Sequence, residues 1–152
     1  MAIETERKFL VKDQSFMALA CEAKEMVQGY LSTDADATVR VRIAGDRARL
    51  TVKSRNRGAS RNEWEYGIPV SEAREMMERC CGRRKLEKTR YIVPARPEGL
   101  CWEVDVFHGP LEGLIVAEIE LPTEDTVFEK PSFIGEEVTG DPRYYNSALV
   151  PC

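Results

Sequence analysis

The sequence predicts an α+β protein, mainly antiparallel β, whose strands close into an eight-stranded barrel with a charged lumen and flanking helices. Three observations lead there. Short segments alternate charged and apolar residues, so each presents one charged and one apolar face. These segments outnumber the helical ones and are joined by short turns. The charges are also sorted: whole segments carry acidic pairs or basic pairs, where a solvated face would mix in Ser, Thr, Asn and Gln. A closed barrel leaves no free edge and turns the charged faces into one lumen. The apolar faces then point outward and need helices as cover.

Each element has its own justification. Residues 3–11 form a first strand with Glu4, Glu6 and Lys8 on one face, spaced about 7 Å apart by a rise of ~3.3 Å per residue. Asp13 is placed to cap a helix over 14–24, with Phe16, Leu19 and Ala20 on one side. Residues 26–31 read as a strand carrying Met26, Gln28 and Tyr30 on one face, followed by a turn at 33–36. Arg40 and Arg42 share a face in 39–43, and a hairpin at 44–47 leads to the Lys53 strand. Residues 54–62 are a polar loop, either disordered or a mobile lid. Glu63 and Glu65 form an acidic pair, and Ser71 opens a helix from Glu72 to Cys81 that Gly82 closes. In that helix Met76, Met77 and Cys80 are expected to face the core. Lys88 and Arg90 form the next basic pair; Glu103 with Asp105, and Glu118 with Glu120, form the last acidic ones. A short helix is expected from Thr123, and the tail over 135–146 ends in another.

Composition narrows the function. The 152 residues suit one domain spanning 1–152, and 43% hydrophobic with 32% charged residues describes a soluble globular chain. Asp and Glu (26) outnumber Lys and Arg (22), a net charge of -4, which argues against a generic nucleic-acid binder. No apolar run reaches the ~20 residues that span a bilayer, and the start lacks a signal-peptide pattern, so no membrane partner and a cytoplasmic location are expected. Five cysteines (Cys21, Cys80, Cys81, Cys101 and Cys152) form no C-x-x-C, and with His108 the single histidine nothing has zinc-ligand spacing. Any metal must bind through oxygen, which selects Mg2+, Mn2+ or Ca2+.

The lumen candidates then constrain the ligand. Lys8, Arg40, Arg42, Lys53, Lys88 and Arg90 oppose Glu4, Glu6, Glu63, Glu65, Asp105, Glu118 and Glu120. Six positive charges against seven negative leave -1, and one or two divalent cations raise that to roughly +1 to +3. Enclosed charge is costly unless it is compensated. A polyanion does so here: cationic side chains suit phosphate oxygens, clustered carboxylates suit Mg2+, and a linear polyphosphate with its metals satisfies both.

In order along the chain, Glu4-x-Glu6-x-Lys8, Gln28-Gly29-Tyr30-Leu31, Arg40-x-Arg42, Lys53, Glu63-x-Glu65, Glu87-Lys88-Thr89-Arg90-Tyr91, Asp105-x-Phe107 and Glu118-x-Glu120 resemble the signature of the CYTH superfamily, the triphosphate tunnel metalloenzymes. The tail, with Gly135-Glu136-Glu137-Val138-Thr139 and Arg143-Tyr144-x-Asn146, resembles the short bacterial branch. The resemblance implies an eight-stranded tunnel. In it Lys8, Arg40, Arg42, Lys53, Lys88 and Arg90 grip triphosphate, while the seven acids hold one or two Mg2+ or Mn2+ ions. The implied reaction is metal-dependent hydrolysis of inorganic tripolyphosphate to pyrophosphate and phosphate. An adenylate cyclase, a thiamine or nucleoside triphosphatase, and a non-catalytic polyphosphate-binding module are the alternatives. Tyr30 and Lys88 are the candidate catalytic residues; Tyr30 either reaches inward to orient or move a proton, or packs with its hydroxyl at the rim. Glu103 has the right phase but a weaker match and stays outside the set. A homodimer is common enough to expect.

Overall fold

The computed structural model describes residues 1–151, so Cys152 lies outside the described residues. Within them, nine strands form one antiparallel sheet: β1 (Ala2–Val11), β2 (Glu22–Asp34), β3 (Ala37–Ala44), β4 (Arg47–Lys53), β5 (Ser60–Ile68), β6 (Lys85–Pro94), β7 (Cys101–Phe107), β8 (Ile115–Glu120) and β9 (Ile134–Glu137). Eight close into a ring, β1-β5-β4-β3-β2-β6-β7-β8 and back to β1. The predicted barrel is therefore present. Strand β1 is its seam. Its first half pairs with β5 (Ala2↔Glu63 to Thr5↔Ser60), and its second half pairs with β8 (Glu6↔Glu120 to Leu10↔Val116). Phe9 pairs with Ala117 on one edge and Glu137 on the other, so β9 continues the edge that β5 leaves free.

Of the four expected helices, one is shortened and one is absent. The helix expected over 14–24 is a single turn, α1 (Phe16–Leu19), because Glu22 to Gly29 of β2 pair with β6 instead. Ladder hydrogen bonds outweigh a weak helical preference there. Asp13 does not cap α1; its Oδ1 accepts the Ser15 N–H in a local turn. Helix α2 (Val70–Cys80) follows Pro69, so Ser71 lies inside it, while Gly82 adopts φ 57° just beyond its end, as expected. Its buried stripe is Ala73, Met77 and the adjoining Cys81, spaced four apart; Cys80 is exposed. No helix starts at Thr123, where a Thr126-to-Thr123 turn stands instead. The polar loop is shorter than expected, since β5 already begins at Ser60. The tail ends in α3 (Asn146–Leu149). Among the described residues no helix is long and apolar enough to cross a membrane.

Most of the apolar core lies outside the ring, as the inverted patterning requires. On one flank Phe9, Trp102, Val104, Ala117 and Ile119 pack with Phe16 of α1 and with Phe133. Edge-to-face rings tie this flank together, with Phe9 and Trp102 centroids 5.5 Å apart. On another flank α2 seats Ala73, Met77 and Cys81 against Val41 and Ala48. A Cβ on Gly29 would stand 2.8 Å from the Cys81 Sγ, so only glycine lets the helix come this close.

One apolar group breaks the pattern. Tyr30, Leu86, Phe107 and Val116 alternate in phase with Gln28, Lys88, Asp105 and Glu118, which places them on the lumen side. Val150 of the tail packs into them, with Leu149 beside it. One end of the lumen is thus plugged by apolar side chains, and the charged site occupies the rest.

Candidate functional site

The lumen holds a cavity of about 220 Å³. Every residue the sequence proposes for the site lines it, except Lys88 and Asp105. Those two are buried below the cavity and spent on each other, with Lys88 Nζ donating to Asp105 Oδ2 at 2.7 Å. Asp105 also accepts from Arg90 Nε at 2.7 Å and Nη2 at 2.9 Å. Its oxygens are thereby occupied by protein donors. Burial pushes Lys88 down to about 7 even against the attraction of Asp105, with Arg90 and Arg42 adding repulsion. Burial also opposes ionised Asp105, yet Arg90 and Lys88 hold its carboxyl below the usual range.

Above this floor stand the cations. Arg42 Nε donates to Gln28 Oε1 at 2.7 Å, and Gln28 Nε2 donates to the Tyr30 hydroxyl at 3.3 Å. Tyr30 is itself buried, part of both the cavity wall and the apolar plug. Burial, then Arg40 and Arg90, lower Arg42 to about 9. Arg40 is 7% exposed, 3.4 Å from Thr51 Oγ1, and its Nε finds no partner among the described residues. Leaving a buried donor unmade costs about 1–3 kcal/mol, and the side chain that carries this one lines the cavity. Lys53 Nζ stands 3.1 Å from Glu4 and 3.4 Å from Glu63, and Lys8 Nζ 3.5 Å from Glu118.

The acids are arranged differently, facing one another. Register sets Glu6 directly opposite Glu120 and Glu103 opposite Glu118. Like charges so placed repel. Burial, then the Glu118 and Glu4 charges, raise the Glu6 carboxyl well above its usual range. Burial, a proton shared with Glu4 and the Glu4 charge raise Glu63 to about 7. Burial works against Glu4 too, yet Glu63, Lys53 and Arg61 bring it to about 2. Glu120 is raised by burial and by Glu4 and Glu103. Burial and neighbouring carboxylates thus favour the neutral form of Glu6 and Glu63, and a divalent cation between such acids would favour the ionised form instead. Among the described residues no three acids close into a cage. Carboxylate pairs open to a cavity nonetheless fit Mg2+, which commonly takes one or two carboxylates and completes its shell with phosphate oxygens and water.

Several lining residues escape sequence reasoning. Thr38, Thr51 and Arg61 share the phase of Arg40, Lys53 and Glu63, and that phase was the available signal. Glu103 belongs with them: it lines the cavity and accepts from Arg90 Nη1 at 2.9 Å. Tyr145, Asn146 and Ser147 come from the tail, and no local pattern places them there. Arg42, Glu65, Arg90 and Glu103 also line a groove of about 670 Å³ at the end opposite the plug.

The CYTH domain family model matches residues 2–145. An inorganic triphosphatase of Acetivibrio thermocellus is 51% identical over 150 residues, covering 99% of this chain and 94% of that protein. An inorganic triphosphatase of Nitrosomonas europaea is 42% identical over 149 residues, 96% of this chain and 95% of that one. The solved structure of the inorganic triphosphatase NE1496 superposes with a TM-score of 0.67 at 38% identity, covering 98% of this chain and 95% of its own.

Proposed function

The chain belongs to the CYTH domain family, and from that premise we propose that it hydrolyses inorganic triphosphate to pyrophosphate and phosphate inside its tunnel, with the help of a divalent cation. The observation that carries the reading is one cavity lined both by cations, among them Arg40 with an unpartnered donor, and by carboxylates that stand opposite one another. Tripolyphosphate complements the first and a hard cation the second.

Arg40, Arg42, Lys53, Lys8 and Arg90 bind the phosphoryl oxygens and offset the negative charge that gathers there as the anhydride bond breaks. Arg90 is aimed by its fork to Asp105, and Lys88 holds Asp105 in place from beneath. Lys88 and Asp105 therefore act as positioning residues under the site. Glu4, Glu6, Glu63, Glu118 and Glu120 would hold Mg2+ or Mn2+, which would supply Lewis-acid polarisation of phosphate oxygens and a more acidic water, whereas Glu65 already accepts from Arg49 and Thr51 and is left out of the proposed set. Tyr30 fixes Gln28 and through it Arg42, an orienting role. The test is phosphate release from tripolyphosphate, ATP, thiamine triphosphate and pyrophosphate with each metal in turn. Tripolyphosphate is expected to lead, with little release from ATP. ATP turnover equal to or above that of tripolyphosphate sinks the substrate assignment, and cyclic AMP formed from ATP would replace hydrolysis with cyclisation.

A further inference from the structure

At the plugged end, the wall between the charged cavity and the outside includes a single aromatic side chain. Tyr145, together with Thr38, Arg61 and Ser147, lines both the cavity and a groove of about 400 Å³ beyond it. It is held from two directions. Asn56 Nδ2 donates to its hydroxyl at 2.7 Å, and the Lys8 ammonium lies 5.7 Å from its ring centroid. Lys8 Nζ also donates to the carbonyl of the preceding Tyr144 at 3.0 Å, and Val150 anchors the following turn in the apolar plug. Swinging the ring aside breaks a hydrogen bond and a cation–π contact together.

The two spaces that Tyr145 separates differ in chemistry. The cavity is lined almost entirely by charged and polar groups. The groove is walled by Ala35, Ala148, Val150 and Pro151, with Arg55 and Asn56 at hand. Its size and mixed lining suit a small organic group, since ligand sites are mostly apolar with a few polar anchors. The groove at the opposite end is bordered instead by charged Glu22, Lys24, Glu25, Arg47 and Arg49. An inorganic triphosphate needs only the cavity. A nucleoside triphosphate also needs somewhere to put its nucleoside.

We propose that Tyr145, latched by Asn56, is the stop that restricts this site to unsubstituted triphosphate, by closing it off from a groove that would accept a nucleoside. The inference rests on the reading of the lumen as a triphosphate site. Its test compares ATP with tripolyphosphate in wild type, Tyr145→Ala, Tyr145→Phe and Asn56→Ala. Tyr145→Ala is expected to raise the ATP-to-tripolyphosphate ratio of kcat/KM by about tenfold, chiefly through a lower KM for ATP. Asn56→Ala, which frees the ring, shifts the ratio the same way by less, and Tyr145→Phe, which keeps the ring, by less again. Calorimetric affinities for ATP and tripolyphosphate without metal give the same ratio in the absence of turnover. A wild type that hydrolyses neither compound would therefore remove the triphosphatase reading, while the affinity ratio still judges the stop. Unchanged ratios in a folded Tyr145→Ala, with melting curves as the check, overturn the proposal and put any nucleoside at the Arg42 end. If Tyr145→Ala does not fold, unchanged ratios in Asn56→Ala and Tyr145→Phe overturn it equally.

Discussion

Two sides of the same lumen handle buried charge in opposite ways. Where β6 meets β7, each charge has its partner: Lys88 and Arg90 meet Asp105, and Arg90 reaches Glu103 as well. Where β1 runs between β5 and β8 the compensation is incomplete: Lys53 meets Glu4 and Glu63 and Lys8 meets Glu118, yet Glu6 still stands opposite Glu120 and Glu4 beside Glu63. The compensated side is finished by the protein alone and belongs to the scaffold. The partly compensated side is the one we propose a ligand completes. On that reading charge balance, more than charge density, separates the residues that hold the barrel from those that hold a ligand.

The sharpest way to break the contrast is to remove one charge from each side. Asp105→Ala strands Lys88 and Arg90 in the interior and should cost about 3–5 kcal/mol in a urea titration, with turnover falling in step. Glu6→Gln should leave the metal-free protein within about 0.5 kcal/mol of wild type, because burial and the Glu118 and Glu4 carboxylates already favour the neutral form of Glu6. Its metal-dependent phosphate release should nonetheless collapse. If Glu6→Gln unfolds the protein as readily as Asp105→Ala, the two sides do not differ in kind. Next in size, Arg40→Ala removes the unpartnered donor and should weaken tripolyphosphate binding by about 1.5–3 kcal/mol, seen as a raised KM.

Acidity sharpens the comparison further. Glu63 is raised from 4.5 to about 7, so its neutral form favours the fold. That contribution is complete below the ordinary value and is lost as pH rises through about 7. The metal-free protein should lose stability between about pH 5 and pH 8, and the melting-temperature gain on adding Mg2+ should be larger at about pH 8 than at about pH 6. An equal gain at both would place the cation away from Glu63. The smallest effect is expected at the exposed Arg7–Glu137 pair, where Arg7→Ala should change stability by under about 1 kcal/mol.

Much of this was legible before folding. Period-two alternation put Glu4, Glu6 and Lys8 on one face, and likewise Arg40 with Arg42 and Glu63 with Glu65, and the barrel places all of them in one cavity. The same phase carried Thr51 and Arg61, whose residue types drew no notice beside the sorted pairs. It failed at Lys88 and Asp105 for a different reason: alternation gives the side of the sheet but not the depth, and these two sit below the cavity floor. The helix expected over 14–24 failed because β6, about 65 positions away in the chain, supplies a strand partner that local preference cannot anticipate.

The sequence by itself determined which side chains share a face and which signs of charge each strand brings, because side-chain direction in a strand follows from backbone geometry alone. Only the tertiary structure decided which charges cancel and which confront one another, since that depends on register between distant strands, such as Glu6 against Glu120. It alone also brought the tail back to set Tyr145 against Asn56, 89 positions apart, and Val150 against the apolar end of the lumen.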